Sequence, residues 1–168
     1  MLVALKGEPL DRGTNAFQPS NLEVTTVDVG NVATNVIPAQ ATAVFNVRYN
    51  TEWTPERLIG WIRAKLDQVG GAYELKPTVN SRPFLTEPGA FTDLLLAAIH
   101  QVTGRHAELS TTGGTSDARF IKDYCPVAEF GLIGQTMHKV DERTRVEDVL
   151  ALSRIYRAVL DRFFAARR

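Results

Sequence analysis

The sequence predicts a mixed α/β (α+β) fold, in which a small antiparallel sheet carries helices on one face and an α/β segment follows. Three observations predict this class. Residues Ala41–Tyr49 alternate apolar and polar side chains with the period of a strand. Thr54 and Pro55 open a segment with helical apolar spacing that ends at Gly70. The second half alternates helical and strand-like segments, which is the order typical of α/β proteins.

The composition is that of an ordinary globular protein and excludes several functions. The chain has 168 residues, with 19 Lys and Arg against 19 Asp and Glu, so its formal net charge is zero. This balance argues against binding of nucleic acid or a membrane surface through a basic patch. The first apolar run, Leu2–Leu5, is too short for a membrane span or a signal peptide. The single cysteine, Cys125, excludes an internal disulfide, so a cytoplasmic location is expected.

Two further strands are predicted in the first half. Leu22–Val29 is rich in Val and Thr, and its alternation slips between Thr25 and Thr26, as a bulge or burial on both faces would produce. Tyr73–Val79 alternates again. Because Pro77 cannot donate a ladder hydrogen bond, this segment is expected to be an edge strand.

Proline and glycine residues near Phe84–Pro88 divide the chain into residues 1–84 and 85–168. Thr144–Glu147 has the pattern of a capping box and opens the last helix. The other elements expected after the division are a helix over Ala90–Val102, a helix from Asp117 to about Asp123 and a buried strand over Val127–Phe130.

The segment Thr112–Asp117, with sequence Thr-Gly-Gly-Thr-Ser-Asp, is a candidate anion-binding loop. Adjacent glycines let the backbone approach a ligand, and the free N–H groups of a following helix attract a carboxylate or phosphate. A tight turn in which Ser116 or Asp117 caps the helix explains the same residues. Both interpretations stay open, although phosphate is disfavoured because Leu109–Ala118 contains no basic residue.

His138 is a candidate metal ligand. It follows a glycine-containing loop, and Asp141 and Glu142 are close enough in the sequence to orient its imidazole. One histidine cannot hold zinc, and neither His100 nor His106 has ligand spacing to it. The interpretation that His138 is an ordinary histidine with no ligand role therefore stays open.

Asn35 and Arg48 are candidate recognition groups. Asn35 lies in an Asn-Val-Ile-Pro turn, where asparagine commonly bonds its own backbone. Arg48 ends the polar face of a strand, where arginine is commonly only solvated. Either side chain can instead hold a ligand, because a guanidinium binds a carboxylate in a two-pronged geometry.

Six short segments carry a family resemblance: Asn35–Pro38, Phe45–Tyr49, Ser81–Leu85, Gly113–Phe120, Glu129–Gly131 and His138–Val140. In order and spacing they resemble the two-zinc amidohydrolases and exopeptidases, the family that contains the succinyl-diaminopimelate desuccinylases and acetylornithine deacetylase. The resemblance runs from about Phe17 to the C-terminus. Gly113–Phe120 favours the desuccinylases over their relatives.

The resemblance implies a role for each part of the chain. Members of this family have a catalytic α/β domain interrupted by a lid domain, through which they form homodimers. Residues 1–84 then match the lid, and residues 85–168 match the closing segment of the catalytic domain. His138 matches the last zinc ligand. The positions that match substrate-binding residues are Asn35, Arg48, Ser81, Gly114 and Thr115.

The resemblance also implies a reaction. Two zinc ions would activate a water that hydrolyses N-succinyl-LL-2,6-diaminopimelate to succinate and diaminopimelate, a step of lysine biosynthesis. The general base and the other zinc ligands have no match in this sequence, and Met1–Lys6 has the pattern of a helix end without a beginning. The expectation is the C-terminal part of such an enzyme, with a truncated first helix, inactive alone and not expected to bind zinc by itself.

Two alternatives remain at this point. Sheet edges and an exposed glycine loop also fit a dimerisation or substrate-binding module without chemistry. A related deacylase, such as acetylornithine deacetylase, would differ only in the acyl group that it removes. Without the first catalytic segment, the apolar faces of the last helix and of Val127–Phe130 are expected to be uncovered, so that the isolated chain oligomerises or rearranges to cover them.

Overall fold

The computed structural model describes residues 1–113 and 116–165. The chain forms two compact units, the first made of Met1–Phe84 with Thr111–Gly113 and the second beginning at Leu85. The mixed α/β class predicted from the sequence is confirmed. In chain order the elements are α1 (Leu2–Lys6), β1 (Asn21–Asp28), β2 (Thr42–Arg48), α2 (Pro55–Val69), α3 (Ala90–Thr103), α4 (Ala118–Ile121) and α5 (Val146–Ala165).

Strands β1 and β2 pair in a two-stranded antiparallel sheet. Val24 lies opposite Phe45 and Thr26 opposite Val44, so Thr25 is one residue too many for a regular ladder. The Thr25 hydroxyl donates a hydrogen bond to the Val44 carbonyl at 3.2 Å. The slip expected between Thr25 and Thr26 is therefore a β-bulge.

Helices α1 and α2 cover one face of this sheet. Helix α2 begins where the sequence predicts, because the Thr54 side chain accepts a hydrogen bond from the Arg57 N–H and Pro55 is its first residue. Every second residue of β2 is partly buried, as the alternation predicts. The buried core of this unit consists of Leu5, Leu22, Leu58, Ile62 and Leu66.

The predicted edge strand Tyr73–Val79 is wrong, since no residue of this segment belongs to a strand. Tyr73 and Leu75 nevertheless pack against the core, and the Tyr73 hydroxyl donates a hydrogen bond to Asp67 at 2.7 Å. The alternation in the sequence therefore reflects which side chains are buried. It does not establish a ladder, to which Pro77 has no N–H to contribute.

The carboxylate of Asp11 joins the loop before β1 to the corner after β2. Its Oδ1 accepts hydrogen bonds from the N–H groups of Gly13 (2.8 Å) and Ser20 (3.0 Å) and from Asn50 Nδ2 (2.8 Å). Its Oδ2 accepts one from Trp53 Nε1 at 2.9 Å. Partial burial raises the pKa of Asp11, but these hydrogen bonds outweigh it and lower the pKa to about 2.

The second unit is built on the packing of α3 against α5. Its buried core contains Leu95 and Ile99 from α3 and Ile155 from α5. Helix α3 agrees with the predicted helix to within one residue. It ends at Gly104, which adopts a left-handed conformation (φ 68°) and donates its N–H to the His100 carbonyl at 2.8 Å.

Two predictions for this unit need correction. Val127–Phe130 is not a strand, because no neighbouring strand exists in the described part of this unit to pair with it. Ala128 and Phe130 pack on the α3–α5 core instead, and the Tyr156 hydroxyl donates a hydrogen bond to the Phe130 carbonyl at 2.5 Å. The helix expected over Asp117–Asp123 is only the four-residue α4.

Helix α5 exposes several apolar side chains on one side. The helix starts at Val146. A capping box between Thr144 and Glu147 is predicted from the sequence, but the Glu147 carboxylate forms an ion pair with Arg145. Six apolar side chains, each 45–74% exposed, leave on the order of 500 Å² of apolar surface in contact with water. They are Val146, Val149, Leu150, Tyr156, Leu160 and Phe164. Within the described ranges, every helix is too short or too polar to traverse a lipid bilayer.

Replacing Asp11 by Ala should destabilise the first unit by about 2 kcal/mol, because the buried donors around the carboxylate lose their acceptor. The pKa of Asp11 in the folded chain lies below its ordinary value of 3.8, so this stability is nearly complete above about pH 5 and is lost as the pH falls through 3.8 toward about 2. Urea unfolding followed by tryptophan fluorescence at several pH values measures both effects. Asp11→Asn should lack the acid-dependent part, and an unchanged acid dependence in that variant would contradict the assignment.

The exposed face of α5 should make the chain self-associate and bind a fluorescent apolar dye. Leu160→Glu should reduce both, because it places a charge in the middle of that face. Light scattering and dye titration measure the change. Arg154→Glu, an exposed charge reversal on the same helix, is the matched control. A monomeric wild-type chain that binds no dye would contradict this expectation.

Candidate functional site

His138 lies in a short closed loop, Thr136–Arg143, which we call the His138 loop. The Thr136 hydroxyl donates a hydrogen bond to the Arg143 carbonyl at 2.7 Å and accepts one from the Arg143 N–H at 3.0 Å. The Lys139 N–H donates to the Thr136 carbonyl at 3.1 Å. Main-chain and hydroxyl contacts therefore close the loop at its two ends.

Two residues of the His138 loop adopt a left-handed backbone conformation that residues other than glycine rarely adopt. His138 has φ 62° and Asp141 has φ 60°. The Glu142 carboxylate accepts a hydrogen bond from the His138 main-chain N–H at 3.3 Å. Glu142 therefore holds the backbone at His138, where the sequence had led us to expect contact with the imidazole.

The imidazole of His138 is exposed and, in the described part of the chain, has no hydrogen-bond partner. Its nitrogens are therefore available, and the residue fits the role of a single metal ligand. Among the described residues, no three His, Cys, Asp or Glu side chains converge as a metal site. The two other histidines, His100 and His106, stack on each other with ring centroids 4.4 Å apart. The residues described here do not build a two-zinc site.

Arg48 and Ser81 are positioned by the end of β2. Arg48 is the last residue of the strand, paired with Asn21, and its side chain is exposed on the sheet face away from the helices. Its neighbour Tyr49 turns toward the core, and the Tyr49 hydroxyl donates a hydrogen bond to the Ser81 carbonyl at 2.8 Å. Burial raises the pKa of Tyr49, so the hydroxyl stays protonated and able to donate.

Asn35 lies in an exposed turn of the loop that joins β1 to β2. The turn is held by Asn31, whose Nδ2 donates to the Val36 carbonyl at 2.8 Å. Among the described residues, no hydrogen bond joins Asn35 to Arg48 or Ser81. A recognition role for these three residues stays a prediction.

Gly114 and Thr115 lie outside the described residues. Next to them, the Ser116 hydroxyl accepts a hydrogen bond at 3.0 Å from the N–H of Ala118, the first residue of α4, as in a serine turn. Asp117, which directly precedes the helix, makes no side-chain capping hydrogen bond within the described residues. Helix capping by Ser116 or Asp117 therefore stays a prediction. Binding of a carboxylate by Gly114 and Thr115 stays a prediction.

Two residues that support the candidate site were missed from the sequence. In the sequence, Tyr49 is only the last residue of an alternating segment, whereas in the structure its hydroxyl also holds Ser81. Thr136 has no recognisable sequence signal, because a hydrogen bond to a residue seven positions later leaves no local pattern.

The profile of Peptidase family M20/M25/M40 matches residues 3–162. The chain is 58% identical over 170 residues to the succinyl-diaminopimelate desuccinylase of Rhodopseudomonas palustris (strain BisB18), covering 98% of this chain and 43% of that protein. It is also 58% identical to the succinyl-diaminopimelate desuccinylase of Bradyrhizobium sp. (strain ORS 278), an alignment that covers 98% of this chain and 44% of that protein. The identity to the succinyl-diaminopimelate desuccinylase of Rhodospirillum centenum (strain ATCC 51521 / SW) is again 58%, with 98% of this chain and 42% of that protein covered. The chain therefore spans less than half the length of these curated relatives.

The left-handed backbone at His138 should make stability depend on which residue replaces the histidine. His138→Gly should be more stable than His138→Val by about 1 kcal/mol, because valine is strained at this φ and glycine is not. Urea unfolding followed by circular dichroism at 222 nm measures the difference. The same pair of substitutions at Lys139 is the control, and equal unfolding midpoints for the two His138 variants would show that the conformation is not retained in solution.

Proposed function

We propose that this chain, which belongs to peptidase family M20/M25/M40, supplies part of a zinc-dependent amidohydrolase that converts N-succinyl-LL-2,6-diaminopimelate to succinate and diaminopimelate. The observation that carries the proposal is the 58% identity, over 98% of the chain, to relatives named succinyl-diaminopimelate desuccinylase. In this reaction water adds to the succinyl amide carbonyl, the C–N bond breaks and the amine leaves with a proton.

We assign the chain the lid of that enzyme, residues 1–84, and the closing segment of its catalytic domain, residues 85–168. When bound, zinc would supply an activated water. His138 would be one of its ligands, which agrees with an exposed imidazole on a closed loop. Since the described residues offer no cluster of three ligands, the isolated chain should not hydrolyse the substrate.

The substrate carries carboxylates, and the chain offers groups that bind them. Arg48 is exposed and has no ion-pair partner among the described residues, so its guanidinium is free to take a carboxylate in a two-pronged geometry. Ser81 is held beside the end of the same strand through Tyr49. We assign substrate binding to these residues and to Asn35, Gly114 and Thr115.

We further propose that the enzyme is a cytoplasmic homodimer joined through the lid, with Asn35 and Arg48 reaching the partner's active site. A balanced net charge and a lone exposed cysteine, Cys125, agree with a protein of a reducing compartment that binds neither nucleic acid nor membranes.

A chimera tests this function directly. This chain should replace the matching 170-residue stretch of the Rhodopseudomonas palustris (strain BisB18) desuccinylase and give a zinc-dependent enzyme that releases succinate. His138→Ala in the chimera should lower kcat/KM by about 10³-fold or more and reduce the bound zinc. Lys139→Ala, on the same loop, is the control.

Three results would contradict the proposal. They are hydrolysis by the isolated chain, full rate and zinc content in the His138→Ala chimera, and a preference of the chimera for N-acetylornithine. The last result would identify a related deacylase.

Substitutions of Arg48 test its proposed role in binding a substrate carboxylate. In the chimera, Arg48→Met should raise KM about tenfold or more and change kcat less, because a charge-assisted contact to a substrate carboxylate is lost. Arg48→Lys should restore only part of the affinity, since an ammonium cannot make the two-pronged contact. Lys76→Met removes another exposed cation of the same unit and should leave KM unchanged.

A further inference from the structure

We infer that Thr136 is a positioning residue, whose hydroxyl joins the two ends of the His138 loop and thereby fixes the direction of the His138 side chain. This inference rests on the proposed role of His138 as a ligand. It concerns a residue outside the proposed ligand and substrate-binding residues.

The Thr136 hydroxyl makes two hydrogen bonds at the same time, one as donor and one as acceptor. It donates to the Arg143 carbonyl at 2.7 Å and accepts from the Arg143 N–H at 3.0 Å, so one oxygen satisfies both main-chain groups of one residue. Only a hydroxyl can donate and accept from a single atom of this size. Serine can therefore replace threonine here, whereas valine, which has nearly the same shape, cannot.

The loop has few other means of staying closed. Val140 at its tip is 93% exposed, so apolar burial does not hold the tip in place. The contact of Glu142 with the His138 N–H is long, at 3.3 Å. Thr136, by contrast, is half-buried. Two residues with unfavourable left-handed φ values persist in this loop, which requires contacts that compensate for them, and the strongest are those of Thr136.

Closure of the loop matters for the direction of the His138 imidazole, which no hydrogen bond to a described residue fixes. Metal-binding histidines usually donate their second N–H to a carboxylate or carbonyl, which fixes the ring. In the described residues the His138 ring has no such partner. The backbone at His138 determines where this side chain starts, and the contacts of Thr136 across the loop hold that backbone together with the longer contact of Glu142.

The first test uses the full chain without metal. Amide hydrogen exchange, followed by NMR, should be at least about tenfold faster at Arg143 and His138 in Thr136→Val and nearly unchanged in Thr136→Ser. Thr144→Val, a neighbouring exposed threonine outside the loop, is the matched control. Equal exchange rates in wild type and Thr136→Val would overturn the inference.

The second test uses the chimera described above. Thr136→Val should weaken zinc affinity, measured by competition with a chelator, about 10- to 100-fold, and Thr136→Ser should retain it. Saturating zinc should restore much of the lost kcat/KM in the valine variant. If His138→Ala reduces zinc binding and Thr136→Val does not, the inference fails while the proposed function stands. If neither variant changes zinc binding, the ligand assignment of His138 fails as well.

Discussion

The first unit depends on one partly buried carboxylate. Asp11 accepts hydrogen bonds from four donors, two in the loop before β1 and two in the corner after β2, and these hold the two segments together. Because that corner directly follows Arg48 and Tyr49, the same carboxylate fixes where β2 ends and where Ser81 attaches through Tyr49. A hydrophobic core alone would leave this end of the sheet free to shift, since apolar contacts have no direction.

The second unit is held differently. Its helices α3 and α5 share a small apolar core, but the His138 loop is closed by polar contacts around one hydroxyl. The candidate ligand therefore lies on a segment whose geometry depends on hydrogen bonds exposed to water. Such segments open more readily than a packed core, and a bound partner or ligand stabilises them by mass action.

Much of the fold could be predicted from the sequence, because its signals are local. Thr54, Pro55 and Gly104 mark helix ends by chemistry that needs no distant partner. The strands predicted over Tyr73–Val79 and Val127–Phe130 failed because alternation and apolar runs report burial, whereas a strand also needs a neighbour. His138 could be selected by residue type. Its left-handed backbone and its dependence on Thr136 could not, since both arise from contacts across the loop.

The bulge in β1 has a consequence for the loop that carries Asn35. Thr26 and Val27 already lie opposite Val44 and Ala43, so deleting Thr25 would leave the remaining pairs in an uninterrupted ladder with the same faces. The surplus residue is thus dispensable for pairing. What it adds is curvature, because a bulge bends its strand and increases the local twist. One extra residue at this point therefore contributes to the direction in which the Asn35 loop leaves the sheet, and the Thr25 hydroxyl holds the bend against β2.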